Sequence, residues 1–420
     1  MFTLKNITTN TFYQMLGKLV TMSITLLATY VITRNYGILG YGEFNLMLSY
    51  PALFFIIADF GLNAIGAREI MADEKNKASI LGNILYLRLI IAGLLFGLGV
   101  FSLIFMPYSS FLKVGIVLGL LTIITKAIFA TLNIIFQVKL RYDLANGAFI
   151  LGYVVFLIVI LVSFFYPISL LFFVLCYMVG DLVAISLGFH FIKRLGVVFD
   201  FKFNKRLVRS FMLTSLPLGL MFVFSQINFK ADSILLSVLR LPSFSSYSNI
   251  EAVGIYGLSY KVFEVALVVP TFIMNSMYPI MLKNYNYGIS RLMGVFKKTF
   301  LTLFVMGVVI GGFGIAFSDL IILILGGSKF TDSSNVLKIL LGSIVVFYLT
   351  QPLAWLIVTL KGERYLPYIY LLAALFNVTL NLIFIPKYSF LASSNITWLS
   401  EVLILILLSF TARKLVLKQR

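Results

Sequence analysis

Apolar stretches of about 20 residues recur along this 420-residue chain, separated by short polar breaks. A helix of about 20 apolar residues crosses the roughly 30 Å of hydrocarbon in a bilayer. Lipid leaves backbone polar groups no outside partner, so such stretches must close their hydrogen bonds as helices. A soluble protein of this length would need polar helix faces, yet only 11% of the residues are charged and 61% are hydrophobic. The expected fold is therefore an all-α polytopic membrane protein. Twelve spans are read, near 12–33, 44–66, 81–106, 112–134, 144–166, 168–190, 211–239, 253–281, 299–317, 336–359, 366–385 and 391–411. The break between spans five and six is expected at Tyr166–Pro167. The apolar run 318–326 is too short to cross.

The net charge of +18 is spread over many short loops, not gathered into a nucleic-acid-binding stripe. No nucleic acid partner is expected; attraction to anionic membrane lipids is. Most of the basic residues fall in alternate breaks, including Arg68, Lys75, Lys77, Lys139, Arg141 and the dense run from Lys193 to Arg209. The positive-inside rule then places both termini in the cytoplasm. The basic break lies mid-chain, which predicts a six-helix lobe over 1–192, a linker over 193–210 and a second six-helix lobe over 211–420. Gly42-Glu43-Phe44 and Gly254-Ile255-Tyr256 open spans two and eight in a faint echo of each other, as a parallel repeat would. Lys5 precedes span one with no small-residue cleavage site after it, so span one reads as an uncleaved signal-anchor.

Charges inside the spans are the candidate functional groups, because an ionised side chain at mid-bilayer costs roughly 3 kcal/mol. Lys18, Arg88, Lys126, Lys230 and Lys261 are the basic ones; Asp59, Asp181, Asp232, Glu264 and Glu401 are the acidic ones. Lys18, Arg88 and Lys126 meet one nearby acid, Asp59, which points to an anionic ligand; snorkelling of Lys18 and Arg88 is the alternative. Lys261 and Glu264 share a helical face, and an ion pair between them is an equal reading. Lys230 and Asp232 stand about 200° apart on their helix and cannot face one point. Asp59, Asp232 and Glu264 are candidates to couple transport to H+ or Na+, or to pair with cations. Pro51, Pro217, Pro270, Pro279 and Pro352 are expected to bend their spans.

One cysteine and one histidine leave no metal site to expect, and no phosphate-binding G-x-x-x-x-G-K-[ST] run occurs. No cofactor is expected. Connections of about 20 residues at most leave little room for the catalytic loop of a membrane glycosyltransferase or polymerase, so an enzyme is the weaker alternative.

Several segments resemble the polysaccharide-biosynthesis flippases of the multidrug, oligosaccharidyl-lipid and polysaccharide exporter superfamily. They are Asn10, Gly40-Tyr41-Gly42-Glu43-Phe44, Asp59-Phe60-Gly61-Leu62 with Arg68, and Pro217, Asp232, Gly254-Ile255-Tyr256, Lys261 and Pro270. Gly326-Gly327-Ser328-Lys329-Phe330 and Asn381-Leu382-Ile383-Phe384-Ile385-Pro386 complete the set. The resemblance implies a MATE-like fold, with two lobes around a central cavity lined by spans one, two, seven and eight. It implies an O-antigen-type flippase, working as a monomer by alternating access in a bacterial or archaeal inner membrane. Its cargo would be an undecaprenyl-pyrophosphate-type lipid-linked glycan, delivered to polysaccharide assembly proteins. Lys18, Arg88, Lys126, Lys230 and Lys261 would then face pyrophosphate and glycan. A multidrug or cation-coupled exporter of the same fold is the alternative, and it calls for acidic excess in the cavity.

Overall fold

The computed structural model describes residues 4–166 and 168–419, with side chains for all of these except 4–12, 56, 64, 217 and 218. Lys5, Asn10 and Pro217 thus fall outside the described side chains, and Pro167 outside the described residues. Among the described residues there is no strand. Among the described residues ten helices are long and apolar enough to cross a membrane, and a bent eleventh passes the same test. The first of them, Tyr13–Asp59, has 47 residues. At 1.5 Å per residue it extends about 70 Å, more than two bilayer cores. It is broken at Gly37, whose φ of 65° and ψ of −162° only glycine adopts without strain. Twelve spans are expected from the sequence, and Tyr13–Asp59 is long enough to hold two of them.

The chain forms two compact units. The first takes residues up to Val31 and Glu43–Gln226; the second takes Ile32–Gly42 and Ile227 onward. The first unit contains most of α1 (Leu4–Asp59), then α2 (Leu62–Ala72), α3 (Lys77–Ile104), α4 (Ser110–Val138), α5 (Tyr142–Val162), α6 (Leu170–Arg194) and the start of α7 (Lys205–Val238). The second contains the end of α7, then α8 (Asn249–Ala266), α9 (Val268–Tyr285), α10 (Ile289–Ala316), α11 (Ser318–Leu325), α12 (Thr331–Gly342), α13 (Ile344–Thr359), α14 (Leu366–Tyr388) and α15 (Phe390–Lys418).

In the first unit α4 packs on α2, α3 and α6, and α5 packs along α6. Hydroxyl side chains start two of these helices: Ser109 accepts from the Leu112 amide and Ser169 from the Leu171 amide. Leu94, Leu98 and Phe101 on α3, with Phe105 just past its end, form an exposed stripe at the three- and four-residue spacing of one helix face. An apolar face of this kind belongs in lipid and would be a liability in water.

The basic segment 193–210, expected as a linker, packs into the first unit. The Asp200 amide donates to the Ala78 carbonyl at 3.1 Å. Asn83 donates to the Lys202 carbonyl at 3.1 Å and accepts from the Asn204 amide at 2.7 Å. Val197 and Phe211 join Ile80, Ile84, Ile134 and Phe136 in one apolar cluster. The change from one unit to the other falls within α7, after Gln226. α7 is also bent by 52° between Leu216 and Gly219.

In the second unit α14 packs along α15, and α13 is covered by α9, α10 and α15. A capping box starts α8: Ser248 accepts from the Glu251 amide, and the Glu251 carboxylate accepts from the Ser248 amide. The expected span 253–281 is broken at Leu267 and 336–359 at Ser343. In the first unit the expected span 44–66 is broken at Phe60–Gly61, where φ is 44° and 73°.

Residues 32–42 are held to the second unit by side chain and backbone. Thr33 donates to the Leu325 carbonyl at 2.5 Å, and Arg34 to those of Leu323 and Ile324 at 2.7 and 3.0 Å. These carbonyls belong to the last turn of α11, where a cation is favoured. The two glycines of the sequence echo meet each other. A Cβ on Gly42 would lie 2.0 Å from the Ile250 oxygen, and one on Gly254 would lie 2.4 Å from the Ile38 oxygen. Each thus faces the carbonyl four residues before the other, a reciprocal crossing that any side chain would force apart.

Candidate functional site

Charged side chains within the spans centre on Arg88 and on Asp181 in the first unit, and on Glu264 and on Asp232 in the second. In the first, Arg88 on α3 has a fully buried side chain. It donates to Asp59 at 2.6 Å, to Asn63 at 3.0 Å and to Thr131 at 3.0 Å. Asp59 ends α1 and Asn63 begins α2, so the break at Phe60–Gly61 turns both acceptors toward one guanidinium. A planar guanidinium with several donors suits such a buried junction. Of the pairings open to Asp59 in the sequence, the structure has Arg88.

Lys126 on α4 lies over the Phe55 ring at 5.3 Å and within electrostatic reach of Asp181 on α6. Asp181 is buried and accepts from Thr125 at 2.9 Å. The first unit therefore has an acid for Lys126 as well as one for Arg88, more compensation than spacing alone suggested. The Lys18 side chain is exposed on α1.

In the second unit Lys230 of α7 and Lys261 of α8 share one carboxylate. Lys230 donates to Glu264 at 2.5 Å and Lys261 at 3.4 Å. The three side chains keep 19%, 32% and 32% of their surface open. A partly open ammonium at membrane depth requires water or a polar ligand beside it. Lys230 also stands 5.2 Å from the centre of the Tyr260 ring.

Asp232 is two residues from Lys230 and reaches different partners, as the helical offset requires. It is fully buried. Tyr256 and Thr397 each donate to one carboxylate oxygen at 2.7 Å, and Asn381 donates to the other at 2.8 Å. Asn377 and Ser393 surround Asn381, with a Ser393 bond at 3.0 Å. Four helices thus converge on one acid: α7, α8, α14 and α15. Glu401, on α15, is buried and accepts from Thr350 at 2.5 Å.

Sequence reading found the charges and missed their neutral partners. Asn377 and Asn381 are four apart, as are Ser393 and Thr397, so each pair lines one face of its helix. Polar residues at that spacing in an apolar span are the signal that finds them. Among the described residues no group of three or more His, Cys, Asp or Glu side chains can hold a metal ion.

The chain matches the family described as polysaccharide biosynthesis protein over residues 7–285, which takes in α1 through α9. It belongs to that family. No curated protein matches it. Among solved structures it is similar to the lipid II flippase MurJ in an inward closed conformation, with TM-score 0.73 and 17% identity over 96% of this chain and 88% of that one. It is also similar to an inward-facing multidrug resistance MATE family transporter of the MOP superfamily, with TM-score 0.72 and 11% identity over 95% of each chain. A third is a MOP superfamily transporter from Pyrococcus furiosus whose binding pocket is described as of reverse polarity, with TM-score 0.64 and 12% identity over 99% of this chain and 95% of that one. At these identities the likeness establishes the fold: this family member is a multi-pass membrane protein with the MurJ and MATE architecture.

Proposed function

We propose that the protein is a flippase that moves a polyprenyl-pyrophosphate-linked oligosaccharide, of the undecaprenyl type used for O-antigen-like surface polysaccharides, from the cytoplasmic to the outer leaflet by alternating access. The observation that carries this reading is the pair Lys230 and Lys261, which share one carboxylate while remaining partly open at membrane depth. Membership of a polysaccharide biosynthesis family supports a glycan cargo. Charge-assisted contacts to a diphosphate strengthen where water is scarce. Lys18 and Lys126 of the first unit are further candidate cations for the same class of cargo. Arg88 contributes through Asp59, which it holds in place. The protein moves its cargo without transforming it, and hands it to polysaccharide assembly proteins.

The test is flipping in reconstituted vesicles. A fluorescent polyprenyl-pyrophosphate glycan placed in one leaflet is expected to become accessible to a quencher on the other side. Lys230→Ala and Lys261→Ala should each lower that rate by about tenfold, the effect of about 1.4 kcal/mol of lost binding in the transition state, while protein level in the membrane stays near wild type. Unchanged flipping in a Lys230→Ala, Lys261→Ala double variant would reject the site. Transport of an organic cation by the wild type, with no movement of the glycan lipid, would favour a multidrug exporter.

The site of action is the inner membrane, with both termini in the cytoplasm. Reporter fusions after Lys205 and after Lys414 are expected to give cytoplasmic signals, since basic residues crowd both segments. A periplasmic signal at either point breaks the topology.

A further inference from the structure

Lys230 and Lys261 are not offered to ligand as bare cations. Glu264 is three residues from Lys261 on α8 and contacts both ammonium groups, at 2.5 and 3.4 Å. Two positive charges and one negative leave a single net positive charge on the cluster. A membrane poses a specific problem for such a site. Phospholipids with one phosphodiester charge are abundant in the cytoplasmic leaflet and are drawn to basic groups. A lipid-linked glycan is a minor component beside them. Two unmasked lysines would be occupied by the commoner lipid.

We infer that Glu264 is a specificity-determining residue, a built-in rival anion that excludes singly charged phospholipid headgroups from Lys230 and Lys261 and yields only to a diphosphate. This rests on the flippase reading above. A carboxylate fixed on the same helix competes intramolecularly, at an effective concentration in the millimolar range or higher. A phosphodiester brings one negative charge, which Glu264 already supplies, so the exchange gains little and loses an optimal contact. A diphosphate ester brings more charge and can engage both ammonium groups together. Discrimination therefore comes from an internal penalty against the wrong ligand, applied equally to every lipid of low charge. The Tyr260 ring, centred 5.2 Å from the Lys230 ammonium, stands on one side of it. When the diphosphate leaves, the carboxylate returns to the lysines, so the vacated site stays masked from singly charged lipid.

Purified full-length protein in neutral detergent allows a direct test. Farnesyl diphosphate serves as the diphosphate probe and dihexanoyl phosphatidylglycerol as the singly charged rival. In wild type the diphosphate is expected to bind at least about 100-fold more tightly than the phosphatidylglycerol. Glu264→Gln is expected to raise affinity for the phosphatidylglycerol by about tenfold or more. A gain of binding is not a result that misfolding produces. Glu264→Gln without that gain overturns the inference. Wild-type protein that binds both probes alike overturns it without any variant, while leaving a diphosphate cargo standing. Wild-type protein that binds neither removes the cargo reading itself, and the inference with it.

Discussion

Arg88→Ala is expected to destabilise the first unit by about 2–4 kcal/mol, because it takes a fully buried guanidinium away from three acceptors, one of them a carboxylate that is 24% open. Asp59, Asn63 and Thr131 all direct oxygen atoms at this one guanidinium. With Arg88 gone, Asp59 loses its cation, and two neutral acceptors lose their donor. Protein level in the membrane and Tm in detergent should both fall. The sign of a second substitution separates a stranded charge from lost packing. Asp59→Asn in the Arg88→Ala background removes that charge, so part of the lost stability should return. A double variant less stable than Arg88→Ala would mean that the buried volume of Arg88, and not its charge, holds α3 to the junction of α1 and α2. Wild-type stability of Arg88→Ala alone would remove the structural role assigned to the pair.

That junction also marks the limit of what hydropathy reveals. Window averages found the spans because they sum side chains, and lipid selects on that sum. They passed over the breaks at Phe60–Gly61, Leu267 and Ser343 because a break is a backbone event that leaves the apolar count unchanged. Gly37 falls in the connection expected between spans 12–33 and 44–66, and that it interrupts a 47-residue helix depends on dihedral angles. The ionised residues stood out because charge is rare in apolar helices. Their partners did not. Which of Lys18 or Arg88 takes Asp59 is decided by the turn at Phe60–Gly61. The enclosure of Asp232 by Tyr256, Asn381 and Thr397 joins residues up to 165 positions apart. The packing of 193–210 was hidden for a similar reason: its basic residues announce the cytoplasm, whereas its attachment to α3 is made by Asn83 and by backbone groups.

On the proposed flippase reading, Asp232→Asn is expected to abolish any dependence of transport on an imposed proton or sodium gradient, while binding of farnesyl diphosphate stays near wild type. Asp232 is the acid best placed for coupling, because every hydrogen bond the structure gives its carboxylate comes from a neutral group. Tyr256, Thr397 and Asn381 supply three donors and no formal positive charge. The hydroxyl and amide groups there can also turn their oxygen atoms toward a bound cation. Asp59 and Glu264, by contrast, already face Arg88 or two lysines. Gradients of either ion should change wild-type flipping by about tenfold if coupling is worth the 1–3 kcal/mol usual between linked sites. Asp232→Asn retains the shape but turns an amide N–H toward groups that are themselves donors, so some loss of stability accompanies it. The decisive quantity is therefore the ratio of rates with and without the gradient in each protein, which does not depend on how much protein folds. A ratio of one in the variant, and well above one in wild type, assigns coupling to Asp232. A ratio equally high in both moves coupling to another acid, with buried Glu401 and Asp181 next to be replaced. A ratio of one in both leaves the glycan lipid to run down its own gradient, and Asp232 then serves only to hold α7 against α8, α14 and α15.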